Sequence, residues 1–389
     1  MRFLNTLFPS INTYDPNDPK ITLSSDLTAG ALELKSMKEF DFDAWYCLFS
    51  CEHSFKIYKI KDLVGEKVFK KIIKKQAFLI LDNTLEPFEK SIDTIYENIV
   101  IQEKIPASQI ILLTNMYDAK QYSDTVATRL GQESIRIFWY TVFEQDLRNA
   151  ITHIYRSTGP ITLSLKKYHK KFLYFNRRWR LHRPFLITLL HIRGLIEHGY
   201  VSFGPCDDTD TWNHRWPQLI NYFRTDPIMT ELLDKNQSVK QLPPLFLDTD
   251  ELHINRAEAT PNTNQYYEDS YFSVVSETTY FTKWYSSARF LSEKAFKPIA
   301  MRHPFILVSV PNSLEIYRIM GYKTFSPFID EQYDQELDDG KRMLMILSEI
   351  ERLCNLTESE LSEFLLNVKE ICDYNYDVLM SKTRFITEL

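Results

Sequence analysis

The sequence predicts an α/β protein made of two Rossmann-like domains and a closing acidic helical segment. Three observations lead there. At 389 residues the chain exceeds one ordinary core and suits two. Short continuous apolar runs alternate with helical patterns in both halves, as buried parallel strands do when helices connect them. Hydrophobic residues make up 44% and charged residues 25%, a globular composition that is neither disordered nor membranous. The expected limits are 1–157 for the first domain, 165–335 for the second and 336–389 for the helical segment.

Residues 1–20 read as an irregular lead-in broken by Pro9, Pro16 and Pro19. Short strand candidates follow at Lys20–Ser24, Ala44–Phe49 and Ser54–Tyr58. The pattern then becomes regular. Ala77–Leu81 (AFLIL) and Gln109–Thr114 (QIILLT) are apolar runs ending in polar residues, as buried strands end. Between them Ile92, Ile95, Ile99 and Ile101 give Ser91–Lys104 helical spacing. Tyr122–Leu130 reads as a helix stopped by Gly131, and Ile135–Val142 as a third strand. Strand, helix, strand, helix, strand is the order of a doubly wound unit.

Ser157–Pro160 (STGP) is the expected joint, after which a second βα series begins. Lys171–Phe175 reads as a strand and Phe185–His198 as a helix, with Pro184 at its first position and Gly199 at its stop. Val201–Phe203, Leu245–Leu247, Ser270–Val275, Pro304–Ser309 and Lys323–Phe325 read as strands. Glu293–Met301 reads as a helix, and a further helix capped by Asn312 or Ser313 ends at Gly321.

Several function classes drop out. Glycine is scarce, at 9 residues, and neither GxGxxG nor GxxxxGK[ST] occurs. The five cysteines (Cys47, Cys51, Cys206, Cys354 and Cys372) are odd in number and scattered, which argues against a disulfide framework and for a reducing compartment. The start, MRFLNTLFPS, lacks a signal peptide's apolar stretch, and no window reaches the ~18 apolar residues of a membrane span. A cytoplasmic protein is expected. HExxH and GxSxG are absent.

Net charge is −6, yet Leu165–Arg183 carries eight Lys/Arg and no acid. A local cationic segment on an acidic body suggests one anionic ligand site. Its core is the loop Asn176-Arg177-Arg178-Trp179-Arg180-Leu181-His182-Arg183, set directly after a strand and before a helix. In an open α/β sheet that turn lies on the carboxyl edge, where ligands bind and a helix offers free N–H groups. Guanidinium forks match phosphate oxygens. A solvated basic loop facing the acidic body accounts for the same residues.

A second constellation is Ser292-Glu293-Lys294, with Glu277 upstream at a strand end. Lys294 falls in the first turn of a helix, where the dipole disfavours a cation by ~0.3–1 kcal/mol. A bound diphosphate reverses that sign, and Glu293 can accept two ribose hydroxyls. The alternative is a simple N-terminal acid beside a surface lysine. Asp248-Thr249-Asp250 has the spacing of a metal–nucleotide motif, but Asp41-Phe42-Asp43 and Asp208-Thr209-Asp210 share it. For a base that takes a proton from an acceptor, strand-end carboxylates are the candidates: Asp26, Asp82, Glu86 and Asp118, with Asp82 and Glu86 ranked first.

The run Phe290-Leu291-Ser292-Glu293-Lys294-Ala295-Phe296, followed by Pro304-Phe305-Ile306, resembles the donor segment of GT-B glycosyltransferases. The likeness is greatest to α-1,3-fucosyltransferases, in which a [ST]-E-K tripeptide opens a helix. Asn176, Arg177 through Arg183, then Gly199 and Val201-Ser202-Phe203-Gly204, resemble that family's first βα unit of the donor domain. The arrangement is also similar to that of uncharacterised viral proteins. Bulky Met301-Arg302-His303 stands where the family has small residues.

The resemblance implies a GT-B fold, with an acceptor domain followed by a nucleotide-sugar donor domain. It implies no cofactor beyond the nucleotide-sugar substrate and no required metal. It carries nucleotide contacts onto Glu293 and Lys294, beside the Asn176, Arg177, Arg178, Arg180, Arg183 and Glu277 set. The expected activity is transfer of a sugar to an unspecified acceptor. Two alternatives stay open: sugar transfer to hydroxymethylated bases of viral DNA, and a non-enzymatic protein binding nucleic acid or an acidic partner.

Overall fold

The apolar runs become the strands of two mainly parallel sheets in a computed structural model. It describes residues 48–50, 59–83, 89–144, 147–148, 151, 168–176, 180–203, 209–235, 247, 265–285, 289–381 and 386–388. The chain divides into two compact units. The first comprises Met1–Val142, Ser287–Phe290 and Thr383–Leu389; the second comprises Phe143–Ser286 and Leu291–Lys382.

In the first unit, β1 (Leu48–Ser50), β2 (Leu79–Asn83), β3 (Ile110–Thr114) and β4 (Arg136–Tyr140) run parallel in that order. A last strand, β9 (Ile386–Glu388), adds antiparallel to β4. Every residue of β3 is buried, as expected of a strand covered on both faces. The helices are α1 (Ile60–Ile73), α2 (Glu89–Thr94) and α3 (Ala119–Leu130). Gly131 ends α3 in the left-handed region, at φ 63°, as its position predicted.

The helix predicted over Ser91–Lys104 is reshaped. After Thr94 the backbone widens into a π-helix over Ile95–Gln102. The wider turn keeps Ile95, Tyr96, Ile99 and Val100 inside but turns Ile101 outward, 42% exposed. The chain then supports its neighbour: the Glu103 carboxylate accepts from Ile60 N at 2.8 Å and Lys61 N at 3.1 Å, capping α1.

The second unit holds β5 (Lys170–Tyr174), α4 (His182–Ile192), β6 (Gly199–Val201), α5 (Thr209–Tyr222), α6 (Pro227–Lys235), β7 (Ser270–Ser276) and α7 (Thr282–Tyr285). These are followed by α8 (Glu293–Ala300), β8 (Phe305–Val308), α9 (Ser313–Ile319), α10 (Asp339–Cys354) and α11 (Glu358–Ser381). The sheet order is β6-β5-β7-β8, all parallel. From β5 the chain steps outward to β6, then returns past β5 to lay down β7. The connections therefore part between β5 and β7, a topological switch point. Helix α4 is buried on all sides from His182 to Leu190, with α10 packed against it. Helix α11 packs on α8.

Three local expectations are corrected. The helix predicted over Phe185–His198 ends at Ile192; Gly194, at φ 65°, provides the stop, and Pro184 is its third residue. Gly199 instead opens β6 in extended conformation, where a Cβ would lie 2.5 Å from the Phe172 ring. Lys323–Phe325 forms no strand: Asn375 of α11 donates to Lys323 O and accepts from Lys323 N, both at 2.8 Å, replacing a strand neighbour. The predicted strand at Leu245–Leu247 lies outside the described residues, save Leu247, which is irregular.

Met301-Arg302-His303 has a structural use. Arg302, at φ 50°, pairs with Asp373 and sits 4.0 Å from the Tyr376 ring centroid, joining α8 to α11. His303 is buried. Its Nε2 donates to Ser270 O and its Nδ1 accepts from Ser273 Oγ, both at 2.7 Å. Burial pulls its pKa down to about 4, so it stays neutral in the fold.

Two outcomes are expected. Gly199→Ala destabilises by about 1–3 kcal/mol in urea unfolding, the ordinary cost of overpacking against a buried ring. The folded pKa of His303 lies below its unfolded value, so its contribution is full above pH ~6.5 and is lost as pH falls toward 4. The stability advantage of wild type over His303→Gln therefore shrinks by about 3 kcal/mol between pH 7 and 4, at 1.36 kcal/mol per unit.

Candidate functional site

The carboxyl ends of β5 and β7 meet at the switch point, and polar side chains collect there. From β5 the chain exits through Phe175 and Asn176. Asn176 N donates to Ser202 Oγ at 2.8 Å, and Ser202 N donates to Tyr174 O at 3.0 Å, tying β5 to the segment after β6. The Asn176 side chain is buried, and neither of its amide atoms reaches a partner in normal hydrogen-bond geometry. The Tyr174 hydroxyl lies nearby but is engaged with Ser276 Oγ at 2.8 Å. Burial pushes that phenol up to about 12, against the opposing pull of Ser276 and the Arg183 charge.

Helix α4 delivers His182 and Arg183, both buried. His182 Nε2 donates to Glu277 O at 2.9 Å, which fixes its tautomer because a carbonyl can only accept. Burial first, and the Arg183 charge second, hold His182 neutral. Arg183 Nη2 donates to Ser276 O at 3.3 Å. Burial pulls its pKa down to about 10, while Glu277 and Glu293 act to raise it, so it remains a cation at neutral pH.

Glu277 follows β7 directly and is wholly buried. Its Oε1 accepts from Ser292 N at 2.9 Å. Its Oε2 accepts from Ser292 Oγ at 2.6 Å and Thr278 N at 3.2 Å. Burial nevertheless pushes its pKa up, opposed by the Lys294 charge and by Ser292. Ser292 is the N-cap of α8, and its Oγ also accepts from Lys294 N at 3.4 Å and Lys294 Nζ at 3.0 Å. Lys294 Nζ reaches Glu293 Oε1 at 2.7 Å, with both side chains about one-third exposed. Burial alone would raise Glu293; Lys294, followed by Arg183, outweighs it and holds the carboxyl below its usual range.

Residues later in the chain hold these groups in place. The His182 ring stacks on Tyr280, with centroids 5.4 Å apart, and the Arg342 guanidinium lies 4.3 Å from the Tyr280 centroid. Arg342 donates to Ser309 O at 3.2 Å, Glu336 O at 2.9 Å and Tyr280 O at 2.7 Å, and pairs with buried Asp339. Asp339 in turn accepts from Thr282 N and Oγ1 and from the Tyr222 hydroxyl.

The structure thus brings Asn176, Arg183, Glu277, Glu293 and Lys294 to one edge of one sheet, with Arg180 half-buried just before α4. Arg177, Arg178 and Trp179 lie outside the described residues. Asp82 sits in β2, registered between Ser50 and Leu113, and nothing is described of its side chain. Glu86, Asp26, Asp41, Asp43, Asp208, Asp248 and Asp250 also lie outside what is described, and Asp210 lies in α5 with nothing described of its side chain. Asp118 is engaged by Arg289, at 2.6 and 2.8 Å. Cys354 and Cys372 are buried free thiols, pushed above their ordinary range by burial. Among the described residues no group of three or more His, Cys, Asp or Glu could hold a metal ion. No helix among them is long and apolar enough to cross a membrane.

Sequence reasoning missed Tyr174, Ser276, Tyr280 and Arg342. Tyr174 had a usable signal: it stands two residues before Asn176 in the strand and so shares its face. Arg342 had none, because its partners are distant in sequence.

Ser292→Ala removes a helix cap, a donor to Glu277 and an acceptor for Lys294. A loss of about 1–3 kcal/mol in urea unfolding is expected, with Ser292→Thr retaining most of it.

No protein-family model matches the chain, and no curated protein matches it. Among solved structures, the N-terminal domain of trehalose-6-phosphate phosphatase from Candida albicans aligns over 87% of this chain and 70% of its own, at 9% identity and TM-score 0.41. The DNA-modifying enzyme β-glucosyltransferase, solved with and without uridine diphosphoglucose, aligns over 85% of this chain and 88% of its own, at 8% identity and TM-score 0.29. Both likenesses are distant.

Proposed function

We propose that the chain is a metal-independent glycosyltransferase of the GT-B type, which takes a nucleotide-sugar and moves its sugar to an acceptor hydroxyl. One observation carries this reading. Two cations, Arg183 and Lys294, stand at a topological switch point beside the N-terminus of α8, where an α/β sheet receives a phosphate.

The chemistry follows from the charges. As the bond from the sugar to the diphosphate breaks, negative charge grows on the leaving oxygen. Cations already fixed in place stabilise that charge more than they stabilise the ground state. Arg183 is held by α4 and the Ser276 carbonyl, so it needs little reorganisation. Lys294 is oriented by Ser292 and Glu293 and turns to the diphosphate when it arrives. Glu293, released from that pair, accepts from ribose hydroxyls. For removal of the acceptor's proton, Asp82 and Glu86 are the residues to test.

The measurement is thermal stability against UDP, GDP, ADP and CDP, with and without Mg²⁺. A ligand at a hundredfold excess over its Kd adds about 2.7 kcal/mol. The expected result is stabilisation by one nucleoside diphosphate without metal, lost in Lys294→Ala when each protein's shift is taken from its own ligand-free melt, because Lys294 also supports Glu277. No stabilisation by any of the four rejects the donor site and leaves the non-enzymatic reading. A shift retained in Lys294→Ala rejects the role given to that lysine.

A further inference from the structure

The geometry points to Glu277 as a positioning residue, which aims the Lys294 ammonium through the Ser292 hydroxyl and does not touch the nucleotide itself; this rests on the nucleotide-sugar reading of the site. Its place at a strand end set Glu277 among the expected nucleotide contacts. In the fold it is 0% exposed, so no ligand reaches it. Its oxygens are also occupied. Oε1 accepts from Ser292 N at 2.9 Å, and Oε2 accepts from Thr278 N at 3.2 Å and from Ser292 Oγ at 2.6 Å. Backbone N–H groups can only donate, so both oxygens are committed as acceptors.

The consequence falls on a single proton. A serine hydroxyl has one hydrogen to give and two lone pairs to receive with. A 2.6 Å contact is the length of a hydroxyl donating to a carboxylate, so the Ser292 hydrogen is committed to Glu277. On its other side Ser292 Oγ can only accept. It does so from Lys294 Nζ at 3.0 Å and, at greater length, from Lys294 N at 3.4 Å. The ammonium has three hydrogens and no lone pair. One goes to Ser292 and one to Glu293 Oε1, at 2.7 Å. Glu293 is one-third exposed and free to leave when a diphosphate takes its place, whereas Ser292 is buried and held by Glu277. The ammonium thus keeps one fixed anchor while its other partner changes from carboxylate to phosphate. A serine released from Glu277 would turn its own hydrogen toward the ammonium in part of its population, and the anchor would be lost. A cation held in advance stabilises the leaving diphosphate without reorganisation.

The test is a double-mutant cycle on the full chain, read as the Kd of UDP, GDP, ADP or CDP by calorimetry at up to millimolar ligand, for whichever binds wild type. The variants are Glu277→Gln, Lys294→Ala and the two combined. Glutamine keeps the shape, but its NH2 group donates where the carboxylate only accepts, so it competes with the Ser292 hydrogen. We expect Glu277→Gln to weaken the diphosphate about tenfold, the worth of one hydrogen bond to a charged group. It should cost nothing further once residue 294 is already alanine. Ser292→Ala should lose affinity as Glu277→Gln does, and Ser292→Thr, which keeps the hydroxyl, should bind as wild type. That pair decides the matter where Glu277→Gln does not fold or Lys294→Ala binds too weakly to measure. Equal losses with and without Lys294 overturn the proposal and mark Glu277 as a support of the fold alone. Unchanged affinity in Glu277→Gln overturns it, as does a Ser292→Thr that binds no better than Ser292→Ala. In each of those cases the nucleotide-sugar reading survives. If none of the four diphosphates binds wild type, that reading fails first and this one with it.

Discussion

A carboxylate without solvent contact, Glu277, is the constraint around which the carboxyl edge of the second sheet is arranged. Burial alone favours the neutral acid, so an ionised Glu277 requires donors and nearby positive charge. Ser292 supplies an N–H and a hydroxyl, Thr278 supplies an N–H, and Lys294 supplies the nearby charge. Ser292 has a second duty. Ser292 caps α8, so satisfying the acid also sets where that helix begins. Lys294 is the second residue of the helix, so its position follows from the cap. The Glu277 main chain accepts from His182 and donates to Val308, which ties α4 and β8 to the same point. One residue thus fixes four elements, and both cations take their positions from those elements.

The Arg342–Asp339 pair does a different job. A buried ion pair contributes little net stability once desolvation is counted, but its geometry is demanding. Here the demand is met by carbonyls at Ser309, Tyr280 and Glu336, which lie in three separate loops. The guanidinium also covers the Tyr280 ring, whose neighbour in the stack is His182. The helical segment after residue 336 is therefore part of what shapes the carboxyl edge of the sheet.

Much of this was legible in sequence where one physical rule governs a short stretch. The apolar runs at residues 77–81, 109–114, 270–275 and 304–309 had to be strands covered on both faces, and the described residues bear that out. Gly131 could be read as a helix stop because its neighbours showed where the helix ran out. Ser292-Glu293-Lys294 could be placed at a helix start because a hydroxyl followed by acid suits that end. Gly199 was misread because two roles for glycine look alike in sequence: a left-handed stop and a clearance for a neighbouring ring. Only the position of Phe172 separates them. Lys323–Phe325 was misread because an Asn side chain from α11 replaces a strand partner. The widening after Thr94 has no sequence signal, since isoleucines suit either helical pitch. Arg342, like Tyr280, belongs to the site through contacts between segments far apart in the chain.

The strand β9 carries a consequence for how the molecule is made. A ribosome releases β4 long before residues 386–388 exist, with the whole second unit to be synthesised in between. Among the described residues, β9 is the strand that pairs with β4 on the side away from β3. The β4 sequence, RIFWY, combines β-branched and aromatic residues, the kind of open edge that recruits other chains. Arg136 at its head is the one charge guarding it. The sheet of the first unit is thus completed only after the second unit has been synthesised.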